Sequence, residues 1–299
     1  MITTNSLTKI FDTTKALDSV SVEIKDSSIY GLVGSNGSGK STLLRLISGI
    51  YRPDGGEIFV EGTTPFENLA VKDFVTLVPD ENYFFAQSTM NEMAVFYERM
   101  KSSFDRKLYG FLCEHFPIDP TKKISTFSKG MKRQVALILA MATRPKYLLL
   151  DEAFDGLDPV IRTAVRKILA DQIAETGMTV MISSHNLREL EDICDHIGLL
   201  HMGKIIFERE IDESKLGFCK IQIAFASPPD PDIWKQLNIL QRSDIGSVTS
   251  LIVRGNSTEA AAYLETFNPL LSESVPLTLE EVFIHEMEVA GYDYSNILF

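Results

Sequence analysis

The sequence predicts an α/β protein, a parallel sheet with helices on both faces, followed by a smaller α+β module. Three observations carry this. Short apolar runs alternate with amphipathic helical patterns over most of the 299 residues. A glycine-rich turn joins one of those runs directly to a helix. After about Glu213 the order changes to strand, break, two strands, helix, strand.

The runs "SIYGLVG", "KYLLLDEA" and "MTVMISSH" read as buried strands, each short, apolar and bounded by turn or polar residues. Helical patterns lie between them: "STLLRLISGI", "QVALILAMAT" and "VIRTAVRKILADQIAE". Pro145 ends the second of these. "LLHMGKIIFE" reads as a hairpin turning at Met202-Gly203. Beyond it, "CKIQIAFA" is a strand, "SPPDPD" a break and "IWKQL" a short helix. "NILQRSDIGSVTSLIVRG" reads as two strands, "STEAAAYLETF" as a helix and "LLSESVPL" as a strand. "TLEEVFIHEMEVAG" is a closing helix with Thr278 as cap and Gly291 as stop. This β-α-β-β-α-β order is that of a ferredoxin-like module. The expected domains are residues 1–212 and 213–299.

Hydrophobic residues make up 44% and charged residues 23%, enough for a sizeable core. Acidic residues outnumber basic ones 41 to 29, a formal net charge of -12. That balance argues against nucleic acid, whose phosphates need a cationic footprint. Cys113, Cys194 and Cys219 are odd in number and lack CxxC spacing, so neither a disulfide framework nor a zinc site is expected. The start "MITTNSLTKIF" lacks a signal-peptide pattern, and no apolar run approaches the roughly 20 residues of a membrane span. If the protein works at a membrane, another chain supplies the spans.

The strongest motif is "GLVGSNGSGKST". Gly34 through Ser41 matches G-x-x-x-x-G-K-[ST], between a strand and a helix. Gly34, Gly37 and Gly39 allow a tight turn and close approach of a ligand. The amides from Gly37 to Thr42, through Ser38, Gly39, Lys40 and Ser41, then face phosphate oxygens, aided by the helix dipole. Ser35 and Asn36 complete the loop. Lys40 would reach the outer phosphates, and the Ser41 hydroxyl would ligate Mg²⁺. A nucleoside triphosphate is the ligand this predicts. Asp151 ends the strand "YLLLD" and fits a Mg²⁺ partner; Glu152, next to it, would orient or deprotonate the attacking water. His185 ends "TVMISSH" and would contact the γ-phosphate.

In order, these motifs resemble those of the ATP-binding subunits of ABC transporters. The cradle is followed by "FSKGM", then a helix, then "LLLDEAFDGLDP", then "SSH". The series resembles cradle, signature, Walker B, D-loop and H-loop. It covers about residues 1–212 and implies a P-loop NTPase fold of the ABC type, with a helical subdomain at about 83–144. The C-terminal "TLEEVF" resembles ATPases serving exporters of drugs, antibiotics or bacteriocin-like peptides. The resemblance implies ATP and Mg²⁺ as ligands. It also implies a permease and a second ATPase subunit as partners, and a peripheral place on the cytoplasmic face of the membrane. It assigns Phe11 to the adenine ring, where the residue pattern alone also allows a strand-edge core aromatic. It assigns Asp158 to the subunit interface. "NYFFAQSTMNEMAVFYERM" falls where a coupling helix of the permease docks, or else is plain core packing.

The match is imperfect. Asp80 stands where the family has the glutamine that ligates Mg²⁺, and as a carboxylate it would ligate the ion in its place, with altered tuning; Gln87 is too distant to replace it. Ala153 replaces a usual proline, and Phe154 and Asp155 precede Gly156. In the signature, Phe127, Lys129 and Met131 replace leucine, glycine and glutamine, while Ser128 and Gly130 are retained. Lys129, Lys132 and Arg133 fall near the positive end of a helix, where cations are unfavourable. The resemblance supplies an anion. Ser128 and the amides of Gly130 and Met131 would meet the γ-phosphate of ATP held by a partner subunit, and Lys129 would add charge attraction across that interface or else face solvent. The expected function is an ATPase that energises a transporter, an exporter by its subgroup, through ATP-driven dimerisation. Two alternatives share the motifs: an ABC-type ATPase acting on a non-membrane partner, and a low-turnover regulatory subunit.

Overall fold

The computed structural model describes residues 1–191, 193–210, 218–227, 229–275, 277–278, 280–281 and 283. The chain divides into two compact units, Met1–Glu210 and Ile211–Leu298.

The first unit opens with β1 (Ile2–Phe11), β2 (Thr14–Val20) and β3 (Glu23–Ile24), paired antiparallel in the order β2-β1-β3. β4 (Ile29–Val33) leads into α1 (Lys40–Ile47), and β5 (Gly55–Val60) returns to pair with β1. This antiparallel sheet is absent from the sequence reading. β1 shifts register between Leu7 and Lys9 and again between Asn5 and Thr8, with Ser6 at φ +48°. Such bulges break the strict alternation by which a half-exposed strand is recognised.

After α2 (Leu69–Phe74) and β6 (Val75–Val78) come the helical subdomain's α3 (Met90–Met100), α4 (Arg106–His115) and α5 (Lys129–Ala142). β7 (Tyr147–Asp151), α6 (Pro159–Thr176), β8 (Thr179–Ser184), α7 (Leu187–Leu190), β9 (His196–His201) and β10 (Lys204–Glu210) complete the unit. The second sheet runs β10-β9-β4-β8-β7-β6, parallel except for β10. β7 is buried at every residue, as the run "YLLLD" requires. The β9–β10 hairpin turns at Met202 and Gly203, both at positive φ, the conformation that a two-residue hairpin loop needs.

α1 packs against β2, β5 and β7, so it joins the two sheets. Leu43, Leu44, Leu46 and Ile47 are fully buried there among Leu17, Ile58 and Leu149. The C-terminal ends of β4 and β7 are thereby fixed relative to the first turn of α1. α5 begins at Lys129, earlier than its apolar run, so all three cations of "KGMKR" lie inside its first two turns. From Val135 to Ala142 it is buried on all sides.

The second unit contains β11 (Phe218–Ala224), a 3-10 segment (Pro231–Gln236), β12 (Ile239–Ile245), β13 (Val248–Arg254), α8 (Ser257–Glu265) and β14 (Leu271–Val275). Its sheet order is β12-β13-β11-β14, every neighbour antiparallel. A 3-10 segment stands where the ferredoxin-like order expects its first helix. Thr278 and Glu281 bond reciprocally, Thr278 N to a Glu281 carboxylate oxygen at 2.9 Å and Glu281 N to Thr278 Oγ1 at 3.2 Å. That is a capping box. Gly291 lies outside the described residues. No helix among the described residues is long and apolar enough to cross a membrane.

Candidate functional site: a phosphate cradle beside a strained carboxylate

The loop after β4 has the geometry that phosphate binding requires. Gly37 and Gly39 are at φ +81° and +110°. At Gly34 an added Cβ would lie 2.2 Å from the Leu200 carbonyl, and at Gly39 2.4 Å from that of Ala16. Around Gly37 the space is open. α1 carries no side-chain cap and no acidic residue in its first turn, whereas each of the other seven described α-helices has a capping side chain. Its first amides and the dipole are thus left for an exogenous anion. Ser38 Oγ is buried without a hydrogen-bond partner, a donor that a phosphate oxygen would satisfy. One expected donor drops out: the Ser38 amide donates to the Ser35 carbonyl at 3.1 Å.

Lys40 is 5% exposed and its ammonium donates to the carbonyls of Gly34 (2.6 Å) and Ser35 (3.2 Å). It also lies 3.2 Å from Glu152 Oε1, as an ion pair without hydrogen-bond alignment. The other Glu152 oxygen, Oε2, is 2.8 Å from His185 Nδ1. An ionised carboxylate only accepts, so Nδ1 carries the hydrogen and Nε2 is the atom left for a ligand. Lys40, Glu152 and His185, taken from three separate motifs, therefore converge.

Glu152 sits at φ +48°, in the left-handed region. For a residue with a Cβ this costs about 1 kcal/mol or more. Its amide is held by Ser183 through both the backbone carbonyl and Oγ, each at 3.1 Å. Its carbonyl accepts from Arg133 Nη1. A hydrogen bond from a charged donor contributes roughly 1.5–3 kcal/mol, enough to offset the strain. Ser183 also donates to Asp151 Oδ1 at 2.7 Å, orienting a carboxylate that is only 2% exposed. Behind them, Ser184 Oγ donates to Glu189 at 2.8 Å, and Arg162 pairs with Glu189 at 3.3 Å. This fixes the start of α7 beside His185.

Sequence reasoning overlooked Ser183 and Arg133 as site residues. Ser183 was detectable: "TVMISSH" reads as a strand ending at His185, and a residue two places earlier would share its face. Arg133 is 1% exposed and bonds the carbonyls of Asp80 (2.8 Å), Glu152 and Asp155 (3.0 Å), and Asp80 Oδ1. Lys129 pairs with Asp155 at 3.0 Å. Its ammonium, with Arg133 nearby, holds the Asp155 carboxyl below the usual range. The expectation that the basic cluster lacks an anion in its own chain is therefore corrected for two of its three cations. Asp155 and Asp80 supply the anions, from loops remote in sequence.

The signature residues begin α5. Ser128 Oγ accepts from the Met131 amide at 3.2 Å. That amide is taken by the cap, but the Ser128 O–H is left to donate outward. Gly130 lies against the D-loop: a Cβ there would meet the Gly156 carbonyl at 2.6 Å. Asp158 caps α6, accepting from Val160 and Ile161, each at 3.0 Å. Phe11 is 40% exposed at the end of β1 and edge-on to Tyr51 at 5.4 Å. A core aromatic it is not. Gln87 is engaged with Lys123 at 2.8 Å. In α3, Met90, Met93 and Ala94 are buried while Val95, Phe96 and Met100 are exposed beside Tyr83 and Phe85. The segment is both core and surface. No group of three or more His, Cys, Asp or Glu among the described residues is arranged to hold a metal. A Mg²⁺ here fits only as a partner of phosphate oxygens, with Ser41 and Asp151 as protein donors.

A family model described as ABC transporter matches residues 17–155. The ABC transporter ATP-binding protein YtrB of Bacillus subtilis (strain 168) is 34% identical over 284 residues, 95% of this chain and 97% of that protein. The bacitracin transport ATP-binding protein BcrA of Bacillus licheniformis is 31% identical over 72% of this chain and 71% of its own length. The dimeric structure of MJ0796, a bacterial ABC transporter cassette, matches with a TM-score of 0.64 at 21% identity, over 71% of this chain and 99% of that one, a likeness of fold. Identity at this level across nearly the whole of both chains makes this protein a member of the family of ABC transporter ATP-binding proteins.

Proposed function

We propose that the protein hydrolyses ATP to drive a membrane permease, and that it works as an exporter subunit for antibiotic-like or peptide substrates. The observation that carries the hydrolytic part is the convergence of Lys40 and His185 on Glu152. On binding ATP, Lys40 exchanges loop carbonyls and Glu152 for the outer phosphates. Glu152 is then free to accept a proton from the water whose oxygen attacks the γ-phosphorus, with ADP as leaving group. His185, through Nε2, steadies the γ-phosphate. A Mg²⁺ would be held by Ser41 and Asp151 and would supply positive charge beside the phosphate oxygens. Phe11 supplies an exposed ring for the adenine.

A second subunit, identical or related, brings the Ser128 hydroxyl and the Gly130 amide to the same γ-phosphate, with Asp158 near the shared surface. The dimeric state of the MJ0796 cassette supports such pairing. The exposed aromatics around Phe85 and Phe96 are the dock for the permease, which keeps the protein at the cytoplasmic face. The substrate class rests on the bacitracin relative, and the export direction on the resemblance of the C-terminal "TLEEVF" to exporter ATPases. No nucleic-acid role is proposed for so acidic a chain.

The test is Glu152→Gln. It should bind ATP with unchanged affinity, lower turnover by about 10²- to 10⁴-fold, and accumulate as a dimer in size-exclusion chromatography with ATP. Ordinary turnover would sink the assignment of the base.

A further inference from the structure

Arg133 is a cation sealed inside the first unit, and a buried charge persists only with its hydrogen bonds made. Its two terminal nitrogens divide their bonds among three segments. Nη1 serves the carbonyls of Glu152 and Asp155. Nη2 serves the carbonyl and the Oδ1 of Asp80. One guanidinium thus spans the loop after β6, the residue after β7 and the loop before α6. The Glu152 peptide it grips is the one in the left-handed conformation.

We propose that Arg133 is a positioning residue for ATP hydrolysis: it clamps the Glu152 carbonyl and so aims that carboxylate, with Asp80 as the counter-ion that holds the clamp in place. The proposal rests on Glu152 acting on the attacking water. It gives Asp80 a primary task other than binding Mg²⁺, because Oδ1 and the carbonyl of Asp80 are both committed to Arg133. It also makes Asp80 a mechanical link. The loop that enters the helical subdomain is joined to the catalytic carboxylate through one side chain, so a displacement of that loop reaches Glu152 directly.

Lysine cannot replace this fork, since a point charge has no fixed pair of planar nitrogens to serve two segments. The experiment compares Arg133→Lys, Asp80→Asn, Asp80→Ala and Glu152→Gln in the full chain. Steady-state ATPase, fluorescent-ATP binding and Mg²⁺ titration are measured, with thermal unfolding alongside. Arg133→Lys should lower kcat by about 10- to 100-fold, the scale of a misplaced catalytic group, with KM for ATP and the Mg²⁺ midpoint unchanged. Asp80→Ala should lower kcat in the same way, and Asp80→Asn less, since it keeps an Oδ1 acceptor. Combined with Glu152→Gln, Arg133→Lys should add no further loss.

Normal kcat in a folded Arg133→Lys overturns the clamp. A shift of the Mg²⁺ midpoint in the Asp80 variants without a fall in kcat also overturns it and makes Asp80 a metal ligand. If Arg133→Lys fails to fold, the half-exposed Asp80 decides alone: full kcat in both Asp80 variants sinks the proposal. Low turnover in Glu152→Gln with normal turnover in Arg133→Lys sinks the clamp but spares the base. Normal turnover in Glu152→Gln sinks the base itself.

Discussion

Ser183 shows how much one hydroxyl can organise. It donates to Asp151 Oδ1 and accepts from the Glu152 amide, so it sets both carboxylates of "DE" at once. Replacing it with alanine leaves a buried Asp151 oxygen short of a donor. Ser183→Ala should destabilise the protein by roughly 1–3 kcal/mol, seen in thermal unfolding, and reduce ATPase turnover. Ser183→Thr, which keeps the hydroxyl, should recover most of both. Lys40, Glu152 and His185 were readable as chemistry because Lys40 opens a helix and the other two directly follow apolar strands. Arg133 was not. In sequence it is one cation of three near a helix start, and nothing local distinguishes the buried one from the exposed Lys129.

At the scale of elements, the helix beginning with the signature and the loop after β7 touch through two glycines. Gly130 can come this close to the Gly156 carbonyl only without a Cβ. Gly130→Ala must push the start of α5 away from that loop. The expected cost is about 1–3 kcal/mol of overpacking and a strong loss of ATP-driven dimerisation. Nucleotide binding to the cradle of the monomer should be unaffected. Comparing sedimentation with ATP against fluorescent-ATP binding separates the two. Parallel strands and their helices were legible because buried runs and 3.6-residue spacing are local signals. The antiparallel sheet of β1, β2, β3 and β5 was missed because its pairing is non-local and its bulges disturb the period.

At the scale of the whole first unit, one polar cluster ties the two sheets together. Glu61, just after β5, pairs with Lys146, just before β7, at 2.7 Å, and Tyr147 hydrogen-bonds Asp26 at 2.7 Å. The Lys146 ammonium first, then the amino terminus and Tyr147, hold the Glu61 carboxyl down to about 2, from an ordinary 4.5. A folded-state value depressed in this way contributes stability above pH 4.5, and that contribution is lost as pH falls toward 2. The melting-temperature gap between the natural protein and Glu61→Gln should therefore be widest above about pH 4.5 and shrink steadily below it. A gap independent of pH would remove Glu61 from this role.

By itself the sequence determined the fold class, the glycine-rich loop of the candidate cradle, and Asp151, Glu152 and His185 as candidate site residues. Each of these is written in short spacings whose physics is local: glycine torsions, a helix start, a strand end. Only the tertiary structure decided what the cations of "TFSKGMKRQ" face. Lys129 meets Asp155, and Arg133 meets Asp80 and the Glu152 carbonyl. Those partners lie about 20 to 50 residues away in the chain. Burial and pairing of a charge depend on which remote loops the packed sheets bring to it, and no local pattern records that.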